Sequence, residues 1–125
     1  MPLPPRLEAE LAELRRTSAI DVLEEGDWIN VVFRGFALGD GFNVSTSDLL
    51  LRVPRSYPDA GPDMFWVEVS VVLASNQVPQ SADSIENYVG RTWRRFSWHR
   101  QVWNASIDNV PSHLEFIRRR LREKK

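Results

Sequence analysis

Ser56-Tyr57-Pro58-Asp59-Ala60-Gly61-Pro62-Asp63-Met64-Phe65-Trp66-Val67 is the stretch on which the fold turns. Proline fixes φ and cannot donate to a strand ladder, so Pro58 and Pro62 with Gly61 between them mark a built turn, not a slack loop. Before it, Ser47-Asp48-Leu49-Leu50-Leu51-Arg52-Val53 reads as a strand stopped by Pro54, and after it Met64 to Val72 reads as the final strand. Further upstream, Trp28-Ile29-Asn30-Val31-Val32-Phe33 has the β-branched and aromatic content of a strand, with turns at Gly35 and Gly39-Asp40-Gly41 behind it. Successive strands joined by short turns predict an antiparallel meander.

The flanks read as helices. Leu3, Leu7, Leu11 and Leu14 recur at three- and four-residue steps, with Pro4-Pro5 where a first helical turn tolerates proline. The polar positions Glu8, Arg15 and Arg16 of that helix are either solvated or a docking face for a partner. At the other end Leu114, Ile117 and Leu121 keep a helical stripe, with Asp108 or Asn109 placed to cap it and Pro111 in its first turn. Between Ala74 and Ser84 apolar periodicity is lost, which predicts an exposed loop of a length that is more often functional than connective. The dense segment Gly90 to Trp103 follows, holding Trp93, Trp98 and Trp103 among Arg91, Arg94, Arg95 and Arg100.

A chain of 125 residues reads as one domain, residues 1–125, large enough for a core without staples. With no Cys there is no thiol chemistry and no disulfide, and two His, His99 and His113, are too few for a usual zinc site, so no metal or other cofactor is expected. No apolar run approaches the roughly 20 residues of a membrane span and the start lacks a signal-peptide core, which predicts a cytoplasmic protein without a membrane partner. The basic run from Arg118 to Lys125 fits a solvated last helical turn near the negative end of the helix dipole.

Taken together, helix, meander, proline turn, apolar strand, long flap, Trp103 and C-terminal helix resemble the ubiquitin-conjugating-enzyme family over nearly the whole chain. The α+β arrangement is most similar to its prokaryotic family E, on three motifs in order: Leu49-Leu50-Leu51-Arg52-Val53-Pro54, Tyr57-Pro58 through Trp66, and Trp93-Arg94-Arg95-Phe96-Ser97-Trp98-His99 followed by Trp103. The resemblance implies a bacterial ubiquitin-like conjugation pathway, with antiphage defence as its setting. Its partners would be a ubiquitin-like protein, the adenylating enzyme that activates it, and protein targets.

The departures from that family bear on mechanism. The His-Pro-Asn tripeptide that precedes the catalytic Cys elsewhere is missing, as is the Cys itself. Counting from Trp103 or from Gly90, the nucleophile's place falls near Arg95 or Trp93, and the nearest hydroxyls are Thr92 and Ser97. A hydroxyl needs a base and an oxyanion donor. His99 is two residues from Ser97, a spacing that puts both side chains on one face of an extended segment. The candidate roles are then Ser97 as acceptor through an oxyester, His99 as base, Arg95 or Arg100 as electrostatic clamp, and Thr92 as the alternative acceptor. Asp63 either orients the base or sits in the turn.

Two other classes stay open. A Cys-free member fits an inactive scaffold that binds the ubiquitin-like protein or its activating enzyme, with Ser97 and His99 as ordinary hydrogen-bonded residues. Arginines interleaved with Trp93, Phe96 and Trp98 also have the composition of a single-strand nucleic-acid platform. Against that, the net charge is −1 and the isoelectric point near 6.1, whereas dedicated nucleic-acid domains are clearly basic, so no nucleic-acid partner is expected.

Overall fold

A computed structural model describes residues 2–125. The chain forms helix α1 (Pro5–Leu14), strands β1 (Ala19–Glu25), β2 (Trp28–Ala37), β3 (Thr46–Pro54), β4 (Phe65–Glu68), β5 (Ser84–Tyr88) and β6 (Arg91–Phe96), and helix α2 (Val110–Arg122). The six strands make one antiparallel sheet in the order β1-β2-β3-β4-β6-β5. The first four follow the meander; the last two do not.

The sequence predicts a flap from Ala74 to Arg100, but within it Ser84–Tyr88 and Arg91–Phe96 are strands β5 and β6. β6 pairs with β4 in the register Phe65↔Phe96 to Glu68↔Trp93, and β5 becomes the edge strand. Phe65 and Phe96 stack at 4.6 Å, and the buried Arg94 donates to the carbonyls of Ala82 and Val69 at 2.7 and 3.1 Å. Only residues 74–83 and the stretch after Phe96 remain irregular on the path expected to be a flap. β4 is also shorter than the Met64–Val72 strand expected, and it is not the last. Asn43 accounts for its end: its amide donates to the Ser70 carbonyl and its side-chain oxygen accepts from the Val72 amide, which turns the chain away from the ladder.

The pleat divides the sheet into two unlike faces. On one, Ile29, Val31, Phe33, Leu49, Leu51, Val53, Phe65, Val67 and Phe96 form a single cluster with Leu7 and Leu11 of α1 and Val110, Leu114, Ile117 and Leu121 of α2. The other carries a smaller cluster of Val32, Leu50, Trp66 and Trp93. Long side chains shield it in place of a helix. The Arg52 guanidinium lies 3.9 Å from the Tyr88 ring centroid and 4.9 Å from that of Trp28, and Arg91 lies 4.4 Å from Trp93. Such cation–aromatic contacts contribute about 0.5–2 kcal/mol each.

Glu10 of α1 ties three elements together. One carboxylate oxygen accepts from the Tyr57 hydroxyl at 2.5 Å and from the Val110 amide at 3.0 Å, and the other pairs with Arg6 at 3.0 Å. Arg6 reaches on to the carbonyls of Ala105 and Asp108. Burial, with the Glu10 charge beside it, pushes the Tyr57 phenol well above its ordinary range, so it remains a donor. Glu10→Ala orphans a buried hydroxyl and a helix-start amide, and should lower stability by about 2–3 kcal/mol. Urea unfolding checks this, and Glu10→Gln, which keeps an acceptor oxygen, should recover part of the loss.

Candidate functional site

The proline turn is where the sequence pointed, and it anchors the segment that leaves β6. Trp103 donates its indole N–H to the Pro58 carbonyl at 2.8 Å and packs against Tyr57 with centroids 5.8 Å apart. Gly61 lies under that indole: a Cβ there would stand 2.2 Å from the ring. The glycine is therefore required by close approach, not by a positive φ.

Asp63 closes the turn over residues 99 and 100. One of its oxygens lies 2.7 Å from His99 Nδ1; the other accepts from the Arg100 amide at 3.2 Å and from the Met64 amide at 3.0 Å. The His99–Asp63 pair is open to solvent, with 61% and 49% of the two side chains exposed. Exposed pairs add only about 0–1 kcal/mol, so its worth to the molecule is orientation more than stability. A carboxylate on Nδ1 selects the tautomer that leaves Nε2 to accept a proton. Next to it, Met64 adopts φ 58°, a left-handed conformation uncommon for a residue with a side chain. Its carbonyl accepts from Nε2 of the buried His113 at 2.9 Å.

Arg100 is drawn toward α2. It pairs with Asp108 at 2.7 Å and reaches Ser112 at 3.3 Å, and its guanidinium lies 5.1 Å from the Trp103 ring. Asp108 also accepts from the Asn104 amide, and that bond together with Arg100 holds its carboxyl below the usual range. Asn109 is the cap of α2: its side chain accepts from the Ser112 amide while Ser112 returns the bond to the Asn109 amide.

Ser97 is placed differently. Its hydroxyl accepts from Arg95 Nε at 2.9 Å, and Arg95 in turn pairs with Glu86 of β5 at 2.9 Å, on the sheet face opposite the helices. Among the described residues no hydrogen bond joins Ser97 to His99. A shared face would need an extended segment through both residues, but β6 ends at Phe96 and the alternation of faces ends with it. Thr92 lies at the other end of β6, exposed in the hairpin and bonded to Asn87 at 2.8 Å. The four arginines are all engaged: Arg94 as a buried brace, Arg91 on Asp48, Arg95 on Glu86 and Ser97, Arg100 on Asp108.

Three further residues shape this end of the molecule: Glu10, His113 and Arg120. His113 and Arg120 fall on the same helical stripe as Val110, Leu114, Ile117 and Leu121. Extending the stripe's period to its polar positions would have found them; polarity alone hid them. Among the described residues no group of three or more His, Asp or Glu could hold a metal ion, and no helix is long and apolar enough to cross a membrane.

Residues 9–124 match the model of Prokaryotic E2 family E. The chain belongs to that family. The match covers α1 from residue 9 on, the whole sheet, the proline turn and all of α2, so the resemblance carried by the three motifs extends to nearly the full chain. No curated protein and no solved structure matches the chain. Membership in Prokaryotic E2 family E suggests a carrier role in a conjugation pathway, with ubiquitin-like proteins and their targets as the class of partner.

Proposed function

We propose that this chain carries the C-terminus of a ubiquitin-like protein on the Ser97 hydroxyl, as an oxyester, and passes it to a target amine. The family match over residues 9–124 is the observation that supports the carrier role, and a chain without Cys that acts as a carrier would use a hydroxyl as acceptor. Ser97 Oγ attacks the carbonyl carbon of the activated C-terminus; a C–O bond forms, the bond to the activating enzyme breaks, and the serine proton passes to a base. The Asp63–His99 pair is the oriented base of the region. Reaching Ser97 requires a rearrangement of residues 97–99 when the partner binds. Arg95, already on Ser97 Oγ, suits an oxyanion clamp; Arg100, held toward α2 by Asp108, would serve as a second cation only after leaving that pair, and Thr92 is the alternative acceptor. Arg15 and Arg16 are both exposed just past the end of α1 and offer a surface for the activating enzyme.

A scaffold that binds its partners without carrying them is the second reading. Ser97 and His99 favour it, since each is satisfied by a different neighbour.

Reconstitution with the activating enzyme, ATP and the ubiquitin-like protein, followed by mass mapping, separates the two. The carrier predicts an adduct that resists thiol reductants and is cleaved by hydroxylamine. Ser97→Ala should abolish it, Ser97→Cys should make it reductant-sensitive, and Arg95→Gln should slow its formation on the order of 100-fold, the usual cost of losing an oxyanion donor. Failure to form any base-labile adduct would leave the scaffold.

A further inference from the structure

Between the segment after β6 and α2 runs a groove of about 570 Å³, whose lining includes Trp98, His99, Phe116, Arg119, Arg120 and Glu123. At its base is a buried charge that the fold satisfies only in part. Arg120 is 1% exposed, and its guanidinium lies between the rings of Phe96 and Trp98, 5.1 and 4.7 Å from their centroids. One terminal nitrogen donates to the carbonyls of Gln80 and Lys125 at 2.9 and 2.5 Å. Nε and the other terminal nitrogen have no hydrogen-bond acceptor. The nearest carboxylate, Glu123, stands 3.9 Å from Nε and is 40% exposed. Burying a guanidinium with two nitrogens unsatisfied is costly, and a hydrophobic side chain would fill the same place on the α2 stripe without that cost.

We propose that this groove is a binding site for an acidic peptide segment, one carboxylate of which engages Arg119 and the field of Arg120. Arg119 is exposed and, among the described residues, has no ion-pair partner within 4.0 Å. Arg100 is already neutralised by Asp108, and Glu123 offsets part of Arg120. The uncompensated charge is thus small, suited to one or two carboxylates and too little for a nucleic-acid strand, which needs a run of cations along its phosphates. Trp98 and Phe116 supply apolar walls, and Val102, 70% exposed on the rim, supplies a contact for an apolar residue next to the acid. A bound carboxylate would approach the guanidinium in place of Glu123, in surroundings of low dielectric where a charged contact is strong.

The test needs neither activating enzyme nor ATP, so it stands apart from the transfer reaction. The full chain is titrated into a fluorescein-labelled, amidated peptide of alternating Glu and Leu-Gly pairs, with anisotropy as the readout. Saturable binding is expected, with Arg119→Glu weakening it about 10-fold or more and Glu123→Gln tightening it about 3-fold, because the first reverses the free cation and the second removes the competing anion. Both residues are exposed, and far-UV circular dichroism confirms that both variants fold. Raising the salt should weaken binding, since Arg119 lies in solvent. Equal binding of the peptide with Gln in place of Glu, indifference to Arg119→Glu, or displacement of the peptide by a single-stranded oligonucleotide at lower concentration would each overturn the proposal.

Discussion

Moving the protein from pH 7 to pH 4.5 should remove about 2.5 kcal/mol of folding stability, and His113 is the group responsible. Its ring is buried against Phe116, with Nε2 donating to the Met64 carbonyl and Nδ1 without a partner. Burial disfavours the imidazolium, the Arg100 charge adds to that, and the pKa falls from the ordinary 6.5 to about 4. Below about pH 6.5 the unfolded chain takes up a proton that the folded protein refuses. Stability is therefore complete above that pH, declines as the pH falls toward about 4, and loses nothing further from this residue below it. Urea unfolding at pH 7, 5.5 and 4.5 measures the slope. His113→Gln retains a donor for Met64 and does not titrate, so its stability should stay nearly level over the same window. Parallel slopes for parent and variant would assign the effect to another group.

Gly61→Ala is the second change expected to have a large effect. The added methyl would lie 2.2 to 2.4 Å from three atoms of the Trp103 indole, and no rotation of a methyl relieves that overlap. The indole must leave, and with it go the bond to the Pro58 carbonyl, the contact with Tyr57 and the surface that supports Arg100. Overpacking costs about 1–3 kcal/mol and the lost hydrogen bond about 1 kcal/mol more, so a total near 3 kcal/mol is expected in thermal or urea unfolding. Displacement of Trp103 should also shift indole emission to longer wavelength before the unfolding transition. A variant as stable as the parent, with unchanged emission, would show that the turn yields by moving its backbone.

The parts of the fold that could be read from the sequence are those where one residue type has one physical use. Pro58, Gly61 and Pro62 could only be a turn, the leucine spacing of α1 could only be a buried stripe, and Asp108 or Asn109 ahead of Pro111 could only open a helix, the structure choosing Asn109. β5 and β6 were hidden because burial and apolarity do not alternate along them: Trp93, Arg94 and Phe96 of β6 are all buried, and β5 has no buried residue. Arg94 lies in the interior on two carbonyls, Glu86 accepts from the Trp66 indole at 2.8 Å, and Ile85, which looks like core, is 46% exposed. A period-two search fails on such a strand pair. In the candidate site the Asp63–His99 pair joins residues 36 apart, and the proline turn was the only clue to it. The Ser97–His99 spacing was readable, but its geometry depended on where β6 ends, and sequence patterns place strand ends poorly.

The order of strands also governs how the chain can be completed as it is made. β4 borders β3 on one side and β6 on the other, yet β6 emerges from the ribosome more than twenty residues after it. Until Arg91–Phe96 arrive, the outer edge of Phe65–Glu68 has open amides and carbonyls, and Trp66 lacks Glu86 and Tyr88. A nascent chain halted between residues 70 and 90 would thus present a short apolar strand edge to its surroundings, the kind of edge that chaperones cover and aggregates extend.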